Sequence, residues 1–325
     1  MRRGTLPFAT AAVGMTLAAS LSACTPSSPA ATSGSGGEIE VSDAALAEDE
    51  GSEADLPLME EETSTAVDAR AIAHELVADA ELARKFDGSQ AYADFAAAVG
   101  TIEDSGHRVS VAVVRPDGGE IFSYNADQTY YCASAIKAPF VAALYETQIE
   151  TGNVSLGAVD GLARATIVDS DNDSYDALRG TYWRIFAPWL EKYDVDLGTY
   201  ANYNEMSAWF YLTLSPRQLA QMWVGVYSYL SASQSEAAGR LRGYLEQRTT
   251  TALGDALGGT YATWGKAGWF HGSEGYGSAP CANDAGVVFA EEPYIVVVMS
   301  DVPGDLTQIE PVFTAVDELH GLCAD

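Results

Sequence analysis

The chain has 325 residues, of which 46 are acidic and 17 are Lys or Arg, giving a formal net charge of −29. So negative a surface repels phosphate backbones and anionic lipid headgroups, so nucleic acid and anionic membrane surfaces are not expected as partners of the folded body. The four histidines, His74, His107, His271 and His320, do not cluster with the cysteines at metal-ligand spacings, which argues against a metal centre.

The chain opens as an export signal. Arg2 and Arg3 are followed by an apolar, small-residue run, and Leu21-Ser22-Ala23-Cys24 has the form of a lipoprotein cleavage box. Such a leader, residues 1–24, is cut before Cys24 on export and leaves a diacylglycerol on that cysteine. The expected location is therefore outside the cytoplasm, lipid-anchored to the cell membrane. Residues 25–66 carry eleven acids and no basic residue, with few large apolar groups. They are expected to form a disordered tether that like-charge repulsion keeps extended. Residues 67–325, about 260, are enough for one large domain with its own core.

Within that domain, residues 67 to 99 have helical composition broken at Asp87-Gly88, so two helices are expected. Arg108–Arg115 alternates like a strand, Pro116–Gly119 is turn chemistry, and Glu120–Tyr124 alternates again, which predicts a hairpin. A short polar segment then runs into an apolar helix at Tyr130–Lys137. Ser134 stands three residues before Lys137, a spacing that stacks both side chains on one helix face. A serine hydroxyl needs a base to become a nucleophile, and a lysine in a dry pocket loses its proton readily enough to be one. Ser134 is the candidate nucleophile. The apolar residues nearly surround the helix that follows, as far as Thr151-Gly152-Asn153, and this predicts a helix buried at the centre of the domain.

Ser170-Asp171-Asn172 is a second polar cluster, open to two readings: turn and helix-cap chemistry, or a proton relay at Ser170 with Asn172 holding a substrate amide. Ser215-Pro216 opens a helix with Leu219, Met222, Trp223, Val226 and Tyr227 on its apolar face. Another helix is expected at Glu236–Glu246. Trp264–Phe270, Ala285–Ala290 and Tyr294–Ser300 read as strands, and Leu306–Leu322 as the closing helix. Strands at both ends with helices between them predict an α/β (α+β) body whose antiparallel sheet is built from both chain ends around a helical subdomain.

Taken together, S-x-x-K at Ser134–Lys137, S-D-N at 170–172 and K-x-G at Lys266–Gly268 leading into a strand resemble the penicillin-recognising serine hydrolases, the family of class A β-lactamases and D-alanyl-D-alanine peptidases. The hairpin before Ser134, the Ser-Pro helix start and the Asn283-Asp284-x-x-Val-Val pattern resemble its class A branch. The resemblance runs from about residue 68 to the end. Only four lysines exist, Lys85, Lys137, Lys192 and Lys266, and two fall in the motifs.

The resemblance implies an acyl-enzyme at Ser134, with Lys137 as base or relay. Ser170 would protonate the leaving group, Asn172 would bind the acyl amide, and Lys266 would place positive charge beside Ser170. Gly268 and Trp269 would line the substrate, the backbone N–H groups of Ser134 and Trp269 forming an oxyanion hole worth about 3 to 4 kcal/mol per donor. It implies no metal or organic cofactor. It also places Cys281 near the start of the Ser134 helix, so a Cys132–Cys281 disulfide is expected, with Cys323 free.

Three departures bear on the substrate. No E-x-x-L-N loop, whose glutamate activates the deacylating water, lies between Asn172 and Ser215; Glu191, Asp194, Asp196 and Glu205 lie there outside that pattern. Ala267 replaces the hydroxyl of K-[ST]-G. No arginine follows Arg248, and His271 would replace a carboxylate-binding guanidinium only when protonated. The expected protein is a monomeric serine hydrolase acting on cell-wall peptide or a related small acyl compound, and its β-lactam adducts should be long-lived. A non-catalytic sensor module on the same fold and a true class A β-lactamase are the alternatives.

Overall fold

A computed structural model describes Leu76, residues 80–273 and residues 279–323. The expected leader, the lipidated Cys24 and the acidic tether lie outside the described residues. Among those described, no helix is long and apolar enough to cross a membrane.

Two helices, α1 (Ala80–Phe86) and α2 (Gln90–Asp104), precede the sheet. Ser89 caps α2 by accepting the Tyr92 N–H at 3.1 Å, so the break at Asp87-Gly88 is a capped junction. The predicted hairpin forms as β1 (Val109–Val114) and β2 (Glu120–Tyr124), paired antiparallel with a register shift at Val113/Val114. The remaining strands of the main sheet come from the other end of the chain: β5 (Thr263–Gly265), β6 (Gly268–Phe270), β7 (Cys281–Val288) and β8 (Tyr294–Ser300). Their order is β2-β1-β8-β7-β5, with β6 also on β7. Lys266 and Ala267 lie between β5 and β6, where the Lys266 N–H donates to Ala285 O at 2.9 Å. The motif therefore sits on an edge strand that continues through it.

The two faces of the sheet obey the period of two that a strand imposes. Val109, Val111 and Val113 of β1, with Val296 and Val298 of β8, face a core shared with α2 and with α11 (Glu310–Gly321). Ala112, Ile295, Val297 and Met299 face the opposite core, shared with the helical block. Covered on both faces, β7 and β8 are buried throughout.

In the helical block, all eight residues of α3 (Lys137–Leu144) are buried, as the apolar run predicts. A 3₁₀ turn, Ala133–Ile136, leads into it and one π turn, Tyr145–Ile149, extends it. Next come α4 (Leu156–Val168), α5 (Asn172–Tyr182), α6 (Phe186–Lys192) and α7 (Tyr203–Ala208). A two-residue strand β3 (Tyr130–Tyr131) pairs with β4 (Thr213–Leu214). The helix from Ser215-Pro216 is α8 (Pro216–Ala232), opened by a complete capping box between Ser215 and Gln218. Then follow α9 (Glu236–Glu246) and α10 (Ala252–Leu257).

Candidate active site

Three elements meet at the turn that carries Ser134. The Cys132 N–H donates to Leu212 O at 2.9 Å, which ties the turn to the end of β4. Asn283 Nδ2, on β7, donates to Tyr131 O at 2.9 Å while its Oδ1 accepts the Ser300 N–H at 3.2 Å. Against the third side lies Gly268 of β6, where a Cβ would stand 2.4 Å from Ala135 N and from Cys132 O. Only glycine permits that approach. Ala133, next to Ser134, holds φ +44°, a left-handed conformation that costs a residue with a Cβ about 1–2 kcal/mol. The clamps hold it there, as is common where a side chain must be aimed for chemistry.

Ser170 stands at the junction of α4 and α5, with φ +56°. Asp171 caps α5, accepting the Ser174 N–H at 2.7 Å. Asp171 is the cap, as turn and cap chemistry predicts, while Ser170 and Asn172 face the lysines. Lys137 Nζ donates to Ser170 O at 2.7 Å, Asp171 O at 3.3 Å and Asn172 Oδ1 at 2.7 Å. Lys266 Nζ donates to Ser170 Oγ at 2.8 Å and to Ala267 O at 3.0 Å. Ser170 consequently links the two lysines, one through its carbonyl and the other through its hydroxyl. Ser134 Oγ makes no hydrogen bond among the described residues and is half-buried.

Both ammonium groups are held far from water. Burial lowers Lys137 to about 8, against the upward pull of Asp171 and Asp176. Burial, then the neighbouring charge of Lys137, lowers Lys266 to about 7, with Asp284 pulling upward. A neutral Lys137 gives up one of its three N–H donors and gains the lone pair that a base requires. Because the unfolded chain binds these protons up to its ordinary lysine value and the folded one releases them earlier, the lysine contribution makes stability rise with pH from about 7 towards about 10.4. Lys266→Met should flatten that rise and increase thermal stability at pH 7, as read by calorimetry at several pH values. An unchanged slope would show that Lys266 is not held in a destabilised charge state.

An aromatic wall borders these groups. Tyr131 lies between Tyr211, at 6.0 Å between ring centroids, and Phe270, at 5.9 Å. Tyr211 donates to Asn172 Oδ1 at 3.3 Å and packs on Tyr175, whose ring lies 5.4 Å from Lys137 Nζ. Trp269 is half-buried, its ring 5.9 Å from Lys266 Nζ. Beyond Tyr131 and Tyr211 a groove of about 600 Å³ continues past Tyr200, Glu205 and Trp209. The sequence reading missed Tyr131, Tyr175 and Tyr211. Tyrosines are common core residues, and only the pairing of β3 with β4 brings 131 beside 211.

Two expectations are corrected. The Cys132–Cys281 disulfide is absent: both are buried free thiols, and burial pushes each up to about 12. Cys132 Sγ accepts the Leu212 N–H at 3.2 Å and donates to Ala133 O at 3.4 Å, so the thiol serves the β4 contact. His271, expected at the substrate, is instead exposed against the turn after β8, with Nδ1 3.2 Å from Pro303 O and its ring where a Cβ on Gly304 would sit. The structure thus joins Lys137, Ser170, Asn172 and Lys266 in one hydrogen-bonded network, with Trp269 beside Lys266 and Gly268 against the Ser134 turn, and sets His271 against Pro303.

Solved structures similar to this fold include β-lactamases. The one from Sphaerobacter thermophilus is 19% identical, with a TM-score of 0.55 over 71% of this chain and 98% of that one. The one from Chitinophaga pinensis is 18% identical, with a TM-score of 0.56 over 73% and 100%. That from Desulfarculus baarsii is 16% identical, with a TM-score of 0.54 over 72% and 99%. No curated protein sequence matches. The family model described as the β-lactamase enzyme family matches residues 91–159 and 158–316, well over half the chain. The protein belongs to that family, as a member of low sequence identity to the solved structures.

Proposed function

We propose that the protein is an extracytoplasmic, lipid-anchored serine hydrolase that forms an acyl-enzyme at Ser134 and acts on cell-wall peptide or a related acyl compound. The observation that carries this reading is the placement of two buried lysines of lowered proton affinity on either side of Ser170. Neutral Lys137 takes the Ser134 proton as Oγ attacks the carbonyl carbon. The backbone N–H groups of Ser134 and Trp269 receive the developing oxyanion, and Ser170, bonded to Lys266, returns a proton to the leaving group. Asn172, with no protein partner for Nδ2 among the described residues, holds the acyl amide. Buried Ala267 adds no hydroxyl and no arginine follows Arg248, so the substrate is read as one without the carboxylate that such groups would bind. Attachment through Cys24 would keep the enzyme at the membrane, with the acidic segment as spacer.

A second reading, a ligand-binding sensor, draws on one observation: Lys137 directs its hydrogen bonds to residues 170–172, and Ser134 Oγ has no partner among the described residues. Intact-mass spectrometry with a penicillin separates the two. A single adduct mapping to Ser134 and decaying slowly is expected; a folded sample that takes no adduct from the penicillin or from a broadly reactive serine-hydrolase probe would favour the sensor.

A further inference from the structure

The chain lacks the E-x-x-L-N glutamate between Asn172 and Ser215, yet α5, which carries Asn172, also carries a carboxylate on the same face. Asp176 lies one turn beyond Asn172 on α5, and side chains four residues apart stand above one another on a helix face. Asn172 on that face contacts both Lys137 Nζ and the Tyr211 hydroxyl. The charge of Asp176 accordingly acts on both of those groups. Asp176 is exposed and makes no hydrogen bond or ion pair among the described residues.

The other acids of this region are placed or occupied elsewhere. Asp171 Oδ1 caps α5, Asp196 Oδ1 accepts the Gly198 N–H, and Glu205 Oε2 accepts the Ala201 N–H at 2.8 Å. Glu191 and Asp194 lie with Asp196 around Tyr203, not around Lys137. Asp173 is one residue round the helix from Asn172, so the two do not share a face.

We propose that Asp176 is the general base of deacylation, accepting the proton of the water that hydrolyses the acyl-enzyme at Ser134. This rests on the acyl-enzyme reading above. The water oxygen bonds to the acyl carbonyl carbon and its proton passes to the Asp176 carboxylate. Asp176 passes that proton to neutral Lys137. As the bond from that carbon to Ser134 Oγ breaks, Oγ takes the proton from Lys137, so the step consumes one water, releases one carboxylic acid and returns Lys137 to the neutral form that begins acylation.

The full chain and its Asp176→Asn and Asp176→Glu variants, each mixed with benzylpenicillin and followed by intact-mass spectrometry, test this. All three should be labelled at Ser134, because Asp176 takes no proton in acylation. The Asp176→Asn adduct should outlast the wild-type one by about 100-fold or more, the usual worth of a general base, and Asp176→Glu should restore decay. An Asp176→Asn adduct that decays as fast as the wild-type one would overturn the assignment, as would a wild-type adduct that never decays. A folded wild-type protein that forms no adduct would instead overturn the acyl-enzyme reading, and this assignment with it.

Discussion

Ser134→Ala should take no adduct from a penicillin or from a serine-hydrolase probe under conditions in which the wild-type chain is fully labelled. The fold should be unaffected. Ser134 is half-buried, and its hydroxyl makes no hydrogen bond among the described residues, so removing it strands no partner. Substitutions of that kind usually change stability by no more than about 0.5 kcal/mol. The turn itself is held by backbone bonds to Leu212 and Asn283 and by the close approach of Gly268, none of which involves Oγ. Loss of labelling with an unchanged melting transition therefore isolates the nucleophile from the architecture. Labelling that persists at another residue, such as Ser170 beside Lys266, would overturn the assignment of Ser134.

The parts of the fold legible in the sequence are those governed by local rules. The β1–β2 hairpin follows from alternation around Pro116–Gly119, α8 from Ser215-Pro216, and the burial of α3 from an apolar run on every face. The stretch between Asn172 and Leu214 was less legible, because distant partners hold its short helices. Arg179 shows why. In sequence it looks like a solvent-facing residue of α5, yet it is 1% exposed, donating to Trp209 O at 2.8 Å and also to Ser207 O. A buried guanidinium spends its donors on carbonyls that need them, and here it sets the segment that delivers Tyr211 to Asn172. The same limit applies to the site. Ser134, Lys137, Ser170, Asn172 and Lys266 are readable because their spacings form motifs, whereas Tyr131, Tyr211 and Asp176 gain meaning only when β3, β4 and α5 converge. The cysteines were less legible too: the expected layout of strands brings Cys281 towards Cys132, yet both thiols are free and that of Cys132 accepts the Leu212 N–H.

Gly268→Ala should slow acylation of Ser134 by about 100-fold or more, since displacing a reacting group by an ångström commonly costs that much. The added methyl would stand 2.4 Å from Ala135 N and Cys132 O and 2.8 Å from Ser134 N. All three are backbone atoms, so no side-chain rotation relieves the clash. Retreat of β6 is opposed by its pairing with β7, Gly268 opposite Asn283. Retreat of the turn is opposed by Leu212 and by the same Asn283 through Tyr131 O. Whichever side yields, the Ser134 N–H moves relative to the Trp269 backbone, and the two donors proposed for the oxyanion no longer converge. Stability should fall by about 1–3 kcal/mol, the usual cost of forcing extra volume into a packed site. The kinetic loss should exceed what that destabilisation explains, because the variant remains folded at room temperature. Measuring the labelling rate with the chemical probe well below the variant's melting temperature makes the comparison, and a wild-type rate there would show that the contact between β6 and the Ser134 turn does not position the nucleophile.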